Sequence, residues 1–248
     1  MLYAAIVIAF ALPAARDTQF LGKDPHGPLA QVRAGRLGEP GDDACRTWGT
    51  RGQTWLALDA LGRVVGEATV TELERYDYTN CDELTLRGKQ GAGIFVRGRY
   101  TPLRLEAWRP SRTARAALGD LIAKRDAKVR RGRLSNRRKD LPLDARLIVF
   151  RTPSGARYAV AGGRALSILR FDGKGWKEEH RELPIADEQS PSVERFMPVA
   201  VLDMDGDGSF DVVVHHKENE GEWYGDGTIT RSKRGWMTIS AGIFGSTA

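Results

Sequence analysis

The chain has 248 residues, 41% of them hydrophobic and 28% charged, which excludes a sequence too polar to bury a core and leaves length for one large or two modest domains. The formal net charge of +6 raises a polyanionic partner, yet whole-chain charge governs solubility and non-specific attraction before it governs function. The two cysteines lie outside any C-x-x-C spacing and away from clustered histidines, so zinc and thiol redox chemistry find no support.

Taken in chain order, the first 15 residues are an apolar run that ends on Arg16 and Asp17. Such a run is shorter than the ~20 residues needed to cross a bilayer and suits the apolar core of a secretory signal. Residues 1–20 are therefore predicted to be a signal peptide, with Ala9-Phe10-Ala11 as the small-residue site. The competing reading is a buried first strand. Export implies a secreted, periplasmic or cell-surface protein with no transmembrane span in its mature chain. Residues 21–44, rich in Gly, Pro and charge, read as an irregular lead-in.

Residues 45–110 alternate strand patterns with turn signals, and a compact β module is expected there. Residues 55–58 and 63–70 read as a hairpin, followed by short strands at 82–86, 93–96 and 103–108. An oxidising compartment favours a bridge between Cys45 and Cys81. It would close a loop of about 36 residues, worth roughly 3 to 4 kcal/mol in the chain-entropy model.

Residues 111–140 change character. Ala114, Ala117, Leu118, Leu121, Ile122 and Val129 recur at helical spacing, Ser111 or Thr113 can cap the start, and Gly132 can end it. On and after the last turn come Lys124, Arg125, Lys128, Arg130, Arg131, Arg133, Arg137, Arg138 and Lys139. Two readings compete: a polyanion site, and a solvated helix end whose cations complement the helix dipole and run into a charged linker. No aromatic residue is interleaved to stack a base, so specific nucleic-acid binding is not expected.

Residues 141–248 repeat themselves. The stretch 167–170 followed by Gly175 and Trp176 has a counterpart in 228–231 followed by Gly235 and Trp236, and outward of these 145–150 matches 199–202 and 157–160 matches 210–214. Each copy would hold four strands. In the first copy the turn 152–155 stands where the second has an acidic loop.

That loop carries the chemistry. Asp203, Asp205 and Asp207 sit on alternate residues, Gly208 follows, and Asp211 closes the set. So many carboxylates repel one another in a folded chain unless a hard cation sits among them. An EF-hand needs an acidic twelfth residue between helices, but the twelfth here is Val214 and both flanks, 198–202 and 212–214, are apolar runs of strand length. A strand, then D-x-D-x-D-G-x-x-D, then a strand resembles the calcium loop of FG-GAP and VCBS-type repeats, as in integrin-like β-propellers. The resemblance covers the C-terminal third only. It implies a Ca2+ ion held by Asp203, Asp205, Asp207 and Asp211, with the Ser209 carbonyl as a main-chain ligand and Gly208 allowing the backbone to turn.

The expected fold is mainly β: blade-like four-stranded antiparallel repeats, forming a degenerate or partial β-propeller or an open sandwich, with one connecting α-helix. The function implied by the resemblance is a binding or adhesion module for a surface protein or polysaccharide, with calcium structural. Two other readings stay open. A metal-dependent hydrolase would pair the acidic loop with His215 or His216, of which adjacent strand positions allow only one per face. A polyanion-binding protein would use the basic helix end. No G-x-S-x-G, H-E-x-x-H or P-loop pattern occurs.

Overall fold

The computed structural model of the chain describes residues 17–22, 27–40, 48–75, 82–131, 142–183, 195–217, 224–233 and 235–240. Among the described residues the fold is mainly β, with three antiparallel sheets and one long helix, and it does not close into a barrel.

The first sheet contains β1 (Thr18–Leu21), β2 (Pro28–Arg33), β3 (Arg36–Gly38), β4 (Thr54–Leu58), β5 (Val64–Arg75), β6 (Asp82–Gly88) and β7 (Ile94–Arg97), in the spatial order β3-β2-β1-β7-β4-β5-β6. One boundary and one expectation are corrected here. Of the segment read as a signal, residues 1–16 lie outside the described part, while 18–20 belong to β1, which pairs with both β2 and β7 and has Phe20 and Leu21 fully buried. The supposed irregular lead-in contains the β2–β3 hairpin. Its Ala34-Gly35 turn has φ of 50° and 73° at the two residues, so the glycine there punctuates a tight hairpin instead of marking coil.

The predicted hairpin at 55–58 and 63–70 forms as β4 and β5. Asp59 shapes its turn, Oδ1 accepting from the Leu61 amide at 2.8 Å and the Arg63 amide at 3.0 Å. The strand expected at 103–108 is reduced to β8 (Glu106–Ala107), and it pairs with the next sheet instead of its own neighbours. Cys45 and Cys81 lie outside the described residues.

The second sheet holds β9 (Leu147–Arg151), β10 (Arg157–Ala161), β11 (Leu166–Phe171) and β12 (Trp176–Glu182), with β8 on its outer edge. The third holds β13 (Arg195–Leu202), β14 (Asp211–Lys217), β15 (Tyr224–Ser232) and β16 (Gly235–Ser240). Both are up-and-down meanders, and every matched pair of segments read from the sequence falls on equivalent strands of the two.

The third sheet lies between the other two. Along β14, Val213 packs with Phe20, Leu29 and Val96 of the first sheet, whereas Val212 and Val214 pack with Phe150, Val160 and Ile168 of the second. Successive side chains of a strand point to opposite faces, so both faces of β14 are in apolar contact. This explains why its sequence is a continuous valine run instead of an apolar-polar alternation.

The helix α1 (Arg112–Arg131) starts as expected, the Ala114 amide donating to Ser111 Oγ at 3.2 Å as an N-cap bond. Leu118 and Ile122 are buried against Ala159, Ala161 and Leu169 of the second sheet, while Leu121 faces outward.

Candidate metal centre

The loop joining β13 to β14 folds around its own first residue. Asp203 Oδ1 accepts from the amides of Gly206 at 2.7 Å and Asp207 at 3.1 Å, and Oδ2 accepts from the Gly208 amide at 2.9 Å. Gly206 and Gly208 have φ of 78° and 85°, a left-handed conformation in which L side chains are strained. At the far end, Asp211 Oδ2 accepts from the Met204 amide at 2.8 Å and takes a second bond from the Thr230 side chain on β15.

These bonds bring Asp203, Asp205 and Asp211 together, each offering an oxygen within 4.8 Å of the others, a group that could hold a metal ion. At that separation two full charges repel by about 3.5 kcal/mol at an effective dielectric of 20. The consequence is visible in the acid strengths. Burial pushes the Asp211 carboxyl from 3.8 up to about 7, with Asp205 and Asp203 adding to it and the two hydrogen bonds opposing it. Asp203 and Asp205 are also raised, by burial first. An array that resists its own ionisation is complementary to a cation.

Asp207 is exposed and is not among the three converging carboxylates; its Oδ1 accepts from the Ser209 amide at 2.6 Å. Ser209 lies beside it in the same loop.

Two contributors were not foreseen. Thr230 lies across from Asp211 in the β14–β15 register, where Val212 faces Ile229, so a hairpin alignment would have found it. Tyr100 follows β7 of the first sheet, donates to the Gly62 carbonyl at 2.7 Å, and has its phenol pushed up by burial and then by Asp203, Asp59 and Asp211. Nothing local in the sequence connects Tyr100 to the loop; only the docking of the β4–β5 turn does.

His215 is four residues beyond Asp211, about 13 Å along an extended strand. It is buried, with Nδ1 2.8 Å from Asp226 Oδ1, and stands outside the carboxylate group. His216 is half-buried on the same strand.

The basic run is corrected at one residue, Arg125. Lys124 and Lys128 are exposed, but Arg125 is 5% exposed and turned toward the protein, donating to the Ala165 carbonyl at 3.1 Å and pairing with Asp126. Continuing the stripe of Leu118 and Ile122 by three or four residues reaches Arg125 and Asp126, so helical phase overrides the run of like charge. Arg130 and Arg131 lie in α1 without a described side chain, and Arg133, Arg137, Arg138 and Lys139 lie outside the described residues. Among the described residues no helix is long and apolar enough to cross a membrane.

Comparisons with protein-family models, with curated proteins and with solved structures return no match.

Proposed function

We propose that the β13–β14 loop binds a calcium ion, and that the protein is an exported β-repeat protein of the FG-GAP/VCBS type acting as a binding or adhesion module for a surface protein or polysaccharide. The observation that carries the reading is the convergence of Asp203, Asp205 and Asp211, two of them buried, in a loop whose backbone amides are spent on the same carboxylates. An all-oxygen donor set on a glycine-containing loop favours a hard cation that tolerates irregular coordination, which is calcium before magnesium. Asp207 and the Ser209 carbonyl are the remaining ligands of the proposed shell.

The ion is structural in this reading. If the site binds about tenfold tighter than the surrounding calcium concentration, mass action adds about 1.4 kcal/mol to the folded state. Small for the whole molecule, this is large for one loop.

Limited proteolysis tests it. The wild type is expected to be cleaved more slowly with calcium than with chelator, and Asp205→Ala to be cleaved alike in both. Equal wild-type cleavage with and without calcium would end the proposal.

A further inference from the structure

A groove of about 320 Å³ opens between the metal loop and the corresponding turn of the preceding repeat. One wall is Gly208, Ser209 and Phe210; the other is the β9–β10 turn with Thr152 and Ser154; Arg231 of β15 borders it and Leu103 adds an apolar surface. The volume is at the low end of small-ligand pockets, about 300–1,000 Å³. Thr152 Oγ1 and Ser154 Oγ lie 2.9 Å apart, so the turn presents two adjoining hydroxyls. The Arg231 guanidinium stacks over the Trp236 ring at 5.6 Å, with Glu179 3.9 Å away, while its side chain stays 47% exposed. A long, flexible side chain is thereby held in place before any ligand arrives, which lowers the ordering cost of binding.

The geometry points to a saccharide site, taking one or two rings of a neutral polysaccharide. Arg231 offers paired donors that match vicinal hydroxyls, the Thr152 and Ser154 hydroxyls, bonded to each other and to the Ala156 carbonyl, keep lone pairs to accept, and Leu103 meets the C–H face of a sugar. A carboxylated ligand fits less well, because Glu179 offsets the Arg231 charge and the acidic loop adjoins the groove. The inference deepens the binding-module reading and rests on it in one respect: the ordered metal loop forms one wall.

Affinity electrophoresis of the full chain through gels carrying glucan, mannan, xylan or galactan, with about 1 mM calcium, tests it. Retardation by at least one neutral polysaccharide is expected. Arg231→Met keeps the stem on Trp236 but removes the donors, and Ser154→Trp fills the groove from an exposed turn; each is expected to weaken retardation at least tenfold at an unchanged melting temperature. Absence of retardation in all four gels, unaltered affinity in both variants, or stronger retardation by polygalacturonate than by any neutral gel overturns the assignment. A calcium-dependent rise in melting temperature without retardation removes the groove and leaves the metal loop standing. Retardation by a wild type whose melting temperature calcium does not move removes the calcium reading and leaves the groove.

Discussion

Asp211 is nearly inaccessible, three hundredths exposed, and among the described residues Thr230 and the Met204 amide are what compensates a full charge there. Its acid constant in the folded, metal-free protein, about 7, stands above the ordinary 3.8. Between those values the folded state holds the proton more tightly than the unfolded chain, so stability is greatest at acid pH and is lost as pH rises toward 7. Metal-free protein is thus expected to melt progressively lower from pH 4 to pH 7, whereas the rise in melting temperature on adding calcium grows over the same range, because proton and ion compete. A calcium response that is flat with pH would contradict this. Asp211→Asn separates the two effects. It removes the buried charge while keeping an oxygen for the Met204 amide, so the variant should melt above metal-free wild type at pH 8 and show no calcium response. The glycines act differently: a Cβ at Gly208 meets nothing within 4 Å, so only the left-handed φ opposes a side chain. Gly208→Ala should cost about 1 kcal/mol in a denaturation titration, with or without metal.

At the scale of elements, α1 is fastened to the second sheet by a buried ionic knot as well as by Leu118 and Ile122. Asp126 takes the Arg146 guanidinium at 2.6 Å, and Arg146 also donates to the Gly162 carbonyl at 2.9 Å. A Cβ at Gly163 would come within 2.1 Å of Arg146 Nη1, so the β10–β11 connection leaves that position bare. Removing the shared carboxylate strands two buried cations. Asp126→Ala is expected to cost about 3–5 kcal/mol and to raise hydrogen exchange along α1, whereas Arg125→Met, which leaves Asp126 paired with Arg146 and removes only the donor to the Ala165 carbonyl, should cost less, about 1–3 kcal/mol. Equal losses for the two variants would refute the knot. The same elements show what was legible beforehand. The helix with its Ser111 cap, the β4–β5 hairpin, and the four-strand rhythm of both C-terminal repeats could be read, because each follows from local periodicity and turn chemistry. So could the aspartate spacing that brings three carboxylates together. The facing of Arg125 was misread because a run of cations suggests a solvated surface, and the β2–β3 hairpin was missed because its Gly and Pro residues resemble those of coil. The pairing of β8 with β9, Thr230 on Asp211, and Tyr100 near the loop depend on contacts between segments far apart in the chain, and no local pattern encodes them.

For the molecule as a whole, the β13–β14 loop sits where the three layers meet. Met204 is buried in the apolar core between the first and third sheets, alongside Leu58, Ile94 and Leu202, and Phe210 in the core between the second and third, edge-on to Phe150 at 4.9 Å. The β4–β5 turn is tied to the strand entering the loop by the Val201 amide donating to the Ala60 carbonyl at 2.9 Å, and Gly62 lies so close that a Cβ would come 2.6 Å from that of Leu202. A loop with one apolar residue in each core cannot loosen alone: disorder at 203–210 withdraws contacts from both. Local order at the ion should therefore spread as protection of distant amides. Chelation is expected to raise hydrogen exchange in the β4–β5 turn and in β9 and β10, as well as in the loop itself. Met204→Ala, which opens a cavity on one side only, should cost about 2–5 kcal/mol and weaken calcium binding although no ligand is altered. By linkage, the stability gap between Met204→Ala and wild type must then be larger with calcium than without it. If Met204→Ala binds calcium as tightly as wild type, the ion orders its own loop and nothing beyond it, and the three layers hold together without it.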